Sequence, residues 1–221
     1  MRRSLSILMA AGLLLSACES AEMNGAPLNV SNTTTTGPVE HETVELPPTS
    51  AYTKRLSVDM IQDSLPIVGG SAASWRVNYL NKEYDGFTVL GPTLGRPDYV
   101  SLTVENLEPT ALYVKFMGDM AVHVCDKIIA SDKKEPTISA RVLMRFIESD
   151  DPAAGVNANL RYLKLRFLAE RVQDDDTEGI ADLRAVYDAA LNDPNNKDDA
   201  VFKAWNAVCV ALFTSPSFHL Y

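Results

Sequence analysis

Between Thr110 and Ala130 apolar side chains recur every three or four positions: Leu112, Phe116, Met117, Met120, Val124, Cys125, Ile128 and Ile129. That period matches the 3.6 residues of a helical turn and not the alternation of a strand, so the stretch reads as a long helix with one face in a core. It is the expected central helix. The same period returns on either side. "LSVDMIQDSLPIVGG" follows Ser57 as N-cap, sets Val58, Met60, Ile61 and Leu65 near one side, and is stopped by Pro66 and the Gly69-Gly70 pair. "TISARVLMRFIES" puts Ile138, Val142, Leu143, Phe146 and Ile147 on one stripe. "AAGVNANLRYLKLRFLAERV" carries Leu160, Leu163, Phe167 and Leu168. "TEGIADLRAVYDAAL" takes Thr177 as N-cap and turns Ile180, Leu183, Val186, Tyr187 and Leu191 inward. "DDAVFKAWNAVCVALF" starts at an Asp cap, buries Phe202, Trp205, Val208, Cys209, Leu212 and Phe213, and ends before Pro216.

Five to six helices with short polar joints predict a mainly α fold, one helical domain over residues 51–221. Residues 71–100 break the pattern. There "SWRVNYLNKEYDGFTVLGPTLGRPDYVSL" mixes aromatic residues with Gly and Pro, and two short runs either pair as a hairpin across "NKEYDG" or form an irregular loop packed by Trp75, Tyr79 and Phe87.

The first fifty residues have a different character. Arg2 and Arg3 precede the apolar run Leu5 to Leu15, which is too short for a permanent membrane span and reads as an export signal over residues 1–17. Leu15, Ser16 and Ala17 stand directly before Cys18, and this quartet resembles the bacterial lipoprotein lipobox. The resemblance implies that Cys18 becomes the mature N-terminus and carries a diacylglyceryl thioether and an N-acyl chain, a stable membrane anchor. Glu19 follows in place of the Asp that holds many such lipoproteins in the inner membrane, which implies the outer membrane of the cell envelope. Residues 19–50, rich in Thr, Pro, Asn and Glu without apolar period, read with Cys18 as a lipidated, disordered tether, 18–50.

The formal net charge of −9 argues against nucleic acid as a partner and against adhesion to anionic lipid by charge. Attachment to the membrane must then come from the lipid. With Cys18 acylated, Cys125 and Cys209 remain, both on apolar helical faces. In an oxidising compartment they form either a disulfide or two buried thiols.

Two stretches, Leu102 to Cys125 and Ala204 to Tyr221, resemble helical modules of envelope proteins from myxobacteria and planctomycetes. In that group a helix ends in a Leu-Leu-x-Ser-Pro-x-Phe-x-Tyr-like phrase, matched here by Leu212, Phe213, Ser215, Pro216, Phe218 and Tyr221. Related chains often include a c-type cytochrome. This sequence contains no Cys-x-x-Cys-His, so covalent haem attachment is excluded and no cofactor is assigned. "AVYDAALNDP" is similar to the second helix of a tetratricopeptide unit, but without a second copy at a fixed period.

Motifs with chemistry are few. Asp119 and His123 share a helix face and could make an acid–base pair, or an ordinary surface ion pair. His123 and Cys125 lie about 200° apart around the axis and do not suit one metal. "DDDTEG" places Asp174, Asp176, Glu178 and Gly179 like the start of an EF-hand loop, yet Ala185 stands where the bidentate Glu belongs. Arg161, Lys164 and Arg171 form a basic stripe, read as a solvated face. No catalytic residue and no metal ligand set is assigned. Anchor, tether and a motif-free helical domain together predict a non-enzymatic docking or accessory protein for another exported protein, with an apolar patch near Trp75, Phe218 and Tyr221. The alternatives are an enzyme with a dispersed site, marked by a deep polar pocket, and a small-molecule or metal carrier, marked by an enclosed cavity.

Overall fold

The computed structural model describes residues 53–101, 103–147, 151 and 153–221. The chain divides into two units, Met1–Leu46 and Pro47–Tyr221, and all described residues belong to the second. The readings for the signal segment, Cys18 and the tether lie outside them. The described part is mainly α: seven α-helices, several 3-10 turns and one two-stranded sheet.

Helix α1 spans Val58–Gly69. Ser57 caps it, its Oγ accepting from Met60 N at 3.2 Å. Val58, Ile61, Leu65 and Val68 form the buried stripe, while Met60, two residues past Val58 and so about 200° around the helix, is 54 % exposed and not inward. Pro66 does not stop the helix. It sits on the exposed side and removes a single donor, and the chain turns only at Gly70, at φ 71°. The end of α1 is capped from a distance: Arg166 donates to Val68 O at 2.6 Å and to Ile67 O at 3.2 Å.

The expected hairpin is present with a shifted turn. Strand β1 (Arg76–Tyr79) pairs with β2 (Lys82–Asp85), so "KEYD" is the second strand and Leu80-Asn81, at φ 51° and 62°, make the two-residue turn. Trp75 and Phe87, at the base, are buried and meet edge-on at 5.3 Å. Tyr79 is exposed. Gly86 starts the short helix α2 (Gly86–Leu90), and a Cβ there would run into the Trp75 ring. A 3-10 turn, Gly91–Leu94, follows.

Helix α3 covers Ala111–Asp132, capped by Thr110. Its inward face is the expected one with a correction at the start: Tyr113 is fully buried and Leu112, 100° away, is 52 % exposed. Helix α4 is Val156–Leu168, α5 Ala181–Leu191, α6 Ala200–Thr214 and α7 Pro216–His219. Thr177 does not cap α5, because a 3-10 turn at Glu178–Ile180 intervenes. Contacts from Lys133–Asp199 through Asp126–Asn206 and Cys125–Cys209 to Tyr113–His219 run in opposite senses along the chain, so α6 and its continuation lie antiparallel to α3. Tyr187 of α5 packs on Trp205, and Phe167 of α4 on Phe213. The middle position is therefore held by α6, which also touches α7. The sulfurs of Cys125 and Cys209 are 2.04 Å apart across α3 and α6, and both residues are fully buried.

The helix expected over "TISARVLMRFIES" is absent. Residues 138–140 make one 3-10 turn, and the chain then runs irregularly across the base of α3 and α4. Two buried polar side chains take the backbone groups that a helix would use. The Asp132 carboxylate accepts from Val142 N (2.9 Å), Leu143 N (2.7 Å) and Met144 N (3.2 Å). Asn159, fully buried, accepts from Phe146 N at 3.3 Å and donates to Leu143 O at 2.6 Å. Burial pushes the Asp132 carboxyl above the ordinary carboxylate range, against the pull of these three donors. The segment still buries Leu143, Met144 and Ile147, but Phe146 is 45 % exposed.

Candidate docking cleft

The antiparallel α3 and α6 leave a groove along one side of their contact, which the α5–α6 connection closes at one end. The result is an open cleft of about 570 Å³. Ile129, Ala130, Phe202 and Ala207 make its apolar floor. Its rim is charged and already paired: Lys133 Nζ lies 2.7 Å from Asp199 Oδ2 and 4.3 Å above the Phe202 ring, and Asn206 donates to Asp126 at 2.6 Å. Asp199 is the residue before α6, at φ 63°, and its side chain makes no capping bond, which leaves the carboxylate to Lys133. Lys203 is exposed at the edge.

Of the smaller hollows elsewhere, two hold buried or paired charges. One of about 250 Å³ is lined by Lys164, Glu170, Asp182, Ser215 and Ser217 over Leu183 and Leu212. Lys164 is spent within it, donating to Gly179 O at 2.9 Å and pairing with Glu170 at 3.0 Å. The other, about 400 Å³, opens over Arg55. Arg55 is buried, and both its terminal nitrogens are engaged: it pairs with Glu105 at 2.6 Å and donates to Leu94 O (2.8 Å), Asn106 O (2.6 Å) and Leu56 O (3.0 Å). Glu105 also accepts from Val58 N at 3.1 Å, at the positive end of α1. Tyr113 touches both the Arg55 guanidinium, 4.9 Å from its ring centre, and the His219 ring, with ring centres 5.3 Å apart in an edge-on contact. Burial raises the Tyr113 hydroxyl above its ordinary value although Arg55 pulls it down, and burial lowers His219. This cluster welds together the two ends of the domain, where Lys54 and Tyr221 exchange backbone hydrogen bonds of 2.9 and 2.8 Å. No local pattern announces the pair, because Arg55 and Glu105 stand fifty positions apart in the chain.

The other candidates are placed as follows. Cys125 and Cys209 come together; Cys18 lies outside the described residues. His123 meets the backbone O of Asp119 at 3.0 Å, while the Asp119 carboxylate turns to Lys115 at 2.7 Å, so no acid–base pair forms. Arg161 and Lys164 reach the backbone carbonyls of Asp176 and Gly179. Asp176 accepts from Gly179 N, and among the described residues no group of three His, Cys, Asp or Glu could hold a metal ion. The patch expected at Trp75, Phe218 and Tyr221 is corrected: Trp75 and Phe218 are buried in aromatic contacts with Phe116 and Phe213, and only Tyr221 is exposed, at 63 %. Among the described residues no helix is long and apolar enough to cross a membrane. Compared with known proteins, the chain matches no family model, no curated protein and no solved structure.

Proposed function

We propose that this chain is a lipid-anchored protein of the bacterial envelope, held at the outer membrane through Cys18, whose helical domain docks another exported protein. The observation that supports docking is the cleft itself. Two antiparallel helices side by side leave a groove that a third helix fills in a bundle, and here its apolar floor stands open. An amphipathic partner helix would lay its apolar stripe on Ile129, Phe202 and Ala207 and set its charges against Lys133, Lys203, Asp126 and Asp199. No step of chemistry is required of the domain.

The test compares the full-length protein with its Ala130→Arg variant, both purified from the native envelope. Ala130 is exposed at the cleft floor, so arginine fills the groove without entering the core. Loss of one dominant co-purifying protein, with unchanged circular dichroism, supports the reading. Retention of the same protein removes the cleft from it, and absence of any partner above background removes docking. The cleft volume also falls within the range of small-molecule sites. A low-molecular-weight compound recovered stoichiometrically from the parent, and lost from the variant, would make the domain a carrier.

A further inference from the structure

The hairpin has two unlike faces. Its register sets Val77 opposite Tyr84 and Tyr79 opposite Lys82. Side chains alternate along each strand, so Val77, Tyr79, Lys82 and Tyr84 share one face, while Arg76, Asn78, Glu83 and Asp85 share the other. On the first face the rings of Tyr79 and Tyr84 meet edge-on at 6.3 Å and stay 56 % and 39 % exposed. Beyond them Leu80 forms the turn, 78 % exposed at φ 51°. A turn of this shape is served without strain by Asn or Gly. Leucine there adds both strain and apolar exposure, and nothing among the described residues covers it. Strained backbone under an exposed apolar side chain marks a surface shaped for something outside the fold.

The chemistry of the tip indicates what that is. Tyrosine offers an apolar ring with a polar hydroxyl and settles where water meets hydrocarbon. Lys82, on the same face, has an apolar stem and a charged head suited to a lipid phosphate. The tip is narrow and convex, built of a two-residue turn between two paired strands. We propose that Tyr79, Leu80 and Tyr84 seat in the interfacial layer of the bilayer that carries the anchor; this rests on the reading of Cys18 as lipidated. The roughly 35 residues between Cys18 and Thr53 reach at most about 120 Å, so the domain stays beside a lipid surface. Tethering converts a contact too weak for a free protein into an intramolecular one. The net charge of −9 disfavours anionic lipid, so the contact is one of rings and leucine with a zwitterionic interface.

The test uses the full-length, lipidated protein with Leu80→Cys labelled by an environment-sensitive fluorophore, in phosphatidylcholine vesicles. The control label is at Asp198→Cys, an exposed position in the link before α6. Expected are flotation with the vesicles, a blue shift at position 80, and quenching there by lipid carrying a shallow nitroxide that is at least threefold stronger than at 198. Tyr79→Ser with Tyr84→Ser should at least halve that quenching. Flotation with equal quenching at both positions overturns the contact and leaves the anchor standing. Failure to float overturns the anchor, and the contact with it. A blue shift found only in native envelope, and not in pure lipid, overturns the lipid assignment in favour of a protein.

Discussion

Replacing Asp132 by Ala should cost about 2–4 kcal/mol of folding stability. The carboxylate accepts from three backbone N–H groups, and two of them, on Leu143 and Met144, are buried. A buried donor left without a partner costs about 1–3 kcal/mol, whereas the half-exposed Val142 N–H turns to water at little cost. The total is reduced by relief of the carboxylate's own burial, which already pushes its pKa upward. Urea denaturation is the assay: the midpoint should fall with the slope unchanged, since the same surface is exposed on unfolding. Hydrogen exchange should show the Leu143 and Met144 amides losing protection before the rest of the core. Asp132→Asn keeps one acceptor oxygen and should lose about half as much. A change below about 0.5 kcal/mol in Asp132→Ala, or amides that stay protected, would refute the view that this one side chain holds residues 142–144 out of a helix.

The Cys125–Cys209 bond closes a separation of 84 residues, so Cys125→Ser with Cys209→Ser should lose about 4.6 kcal/mol in the chain-entropy model, read as a lowered denaturation midpoint against the oxidised parent. His219 is 6 % exposed, with Nε2 at 3.3 Å from Thr214 O and Nδ1 without a hydrogen-bond partner among the described residues. Burial lowers its pKa, so the unfolded chain binds more protons. The stability tied to this residue is full above about pH 6.5 and declines as pH falls from there towards the depressed folded value. His219→Gln should flatten that decline in midpoints compared between pH 7.5 and 5.5, and an unchanged decline would assign it to other groups. Glycine positions should part company: Gly118, mid-helix with nothing within 4 Å of a Cβ, should gain roughly 0.5–1 kcal/mol as Gly118→Ala, while Gly86→Ala collides with Trp75 and should lower the melting temperature.

Apolar period places the helices α1, α3, α5 and α6 where they stand, but the capping residues Thr177 and Asp199 make no side-chain cap. Ser57 caps the helix it announces, and the Phe116-to-Ile129 face is the core face. The segment 138–147 shows the limit. Its apolar residues are spaced like a helix, but its backbone donors are claimed by Asp132 and Asn159, ten or more residues away, and periodicity carries no trace of a distant acceptor. Leu80-Asn81 was illegible for a related reason. The turn residues are set by the register of Tyr79 against Lys82, and Leu80 breaks the Asn-Gly habit that would have marked them. The cleft is a tertiary object, since Lys133, Asp199 and Phe202 belong to separate helices or links whose packing alone makes them neighbours. Cys125 and Cys209 were visible as a pair by count and by apolar setting, and α3 against α6 supplies the geometry that bonds them.

The most direct measurement is mass spectrometry of the N-terminal peptide of the protein extracted from its native envelope. The proposed function predicts a chain that begins at Cys18, carrying the mass of a diacylglyceryl thioether with or without an N-acyl chain. An unmodified Cys18, inside an uncut N-terminus or behind a cleavage at another site, would contradict the anchor and leave the helical domain without its place at the membrane.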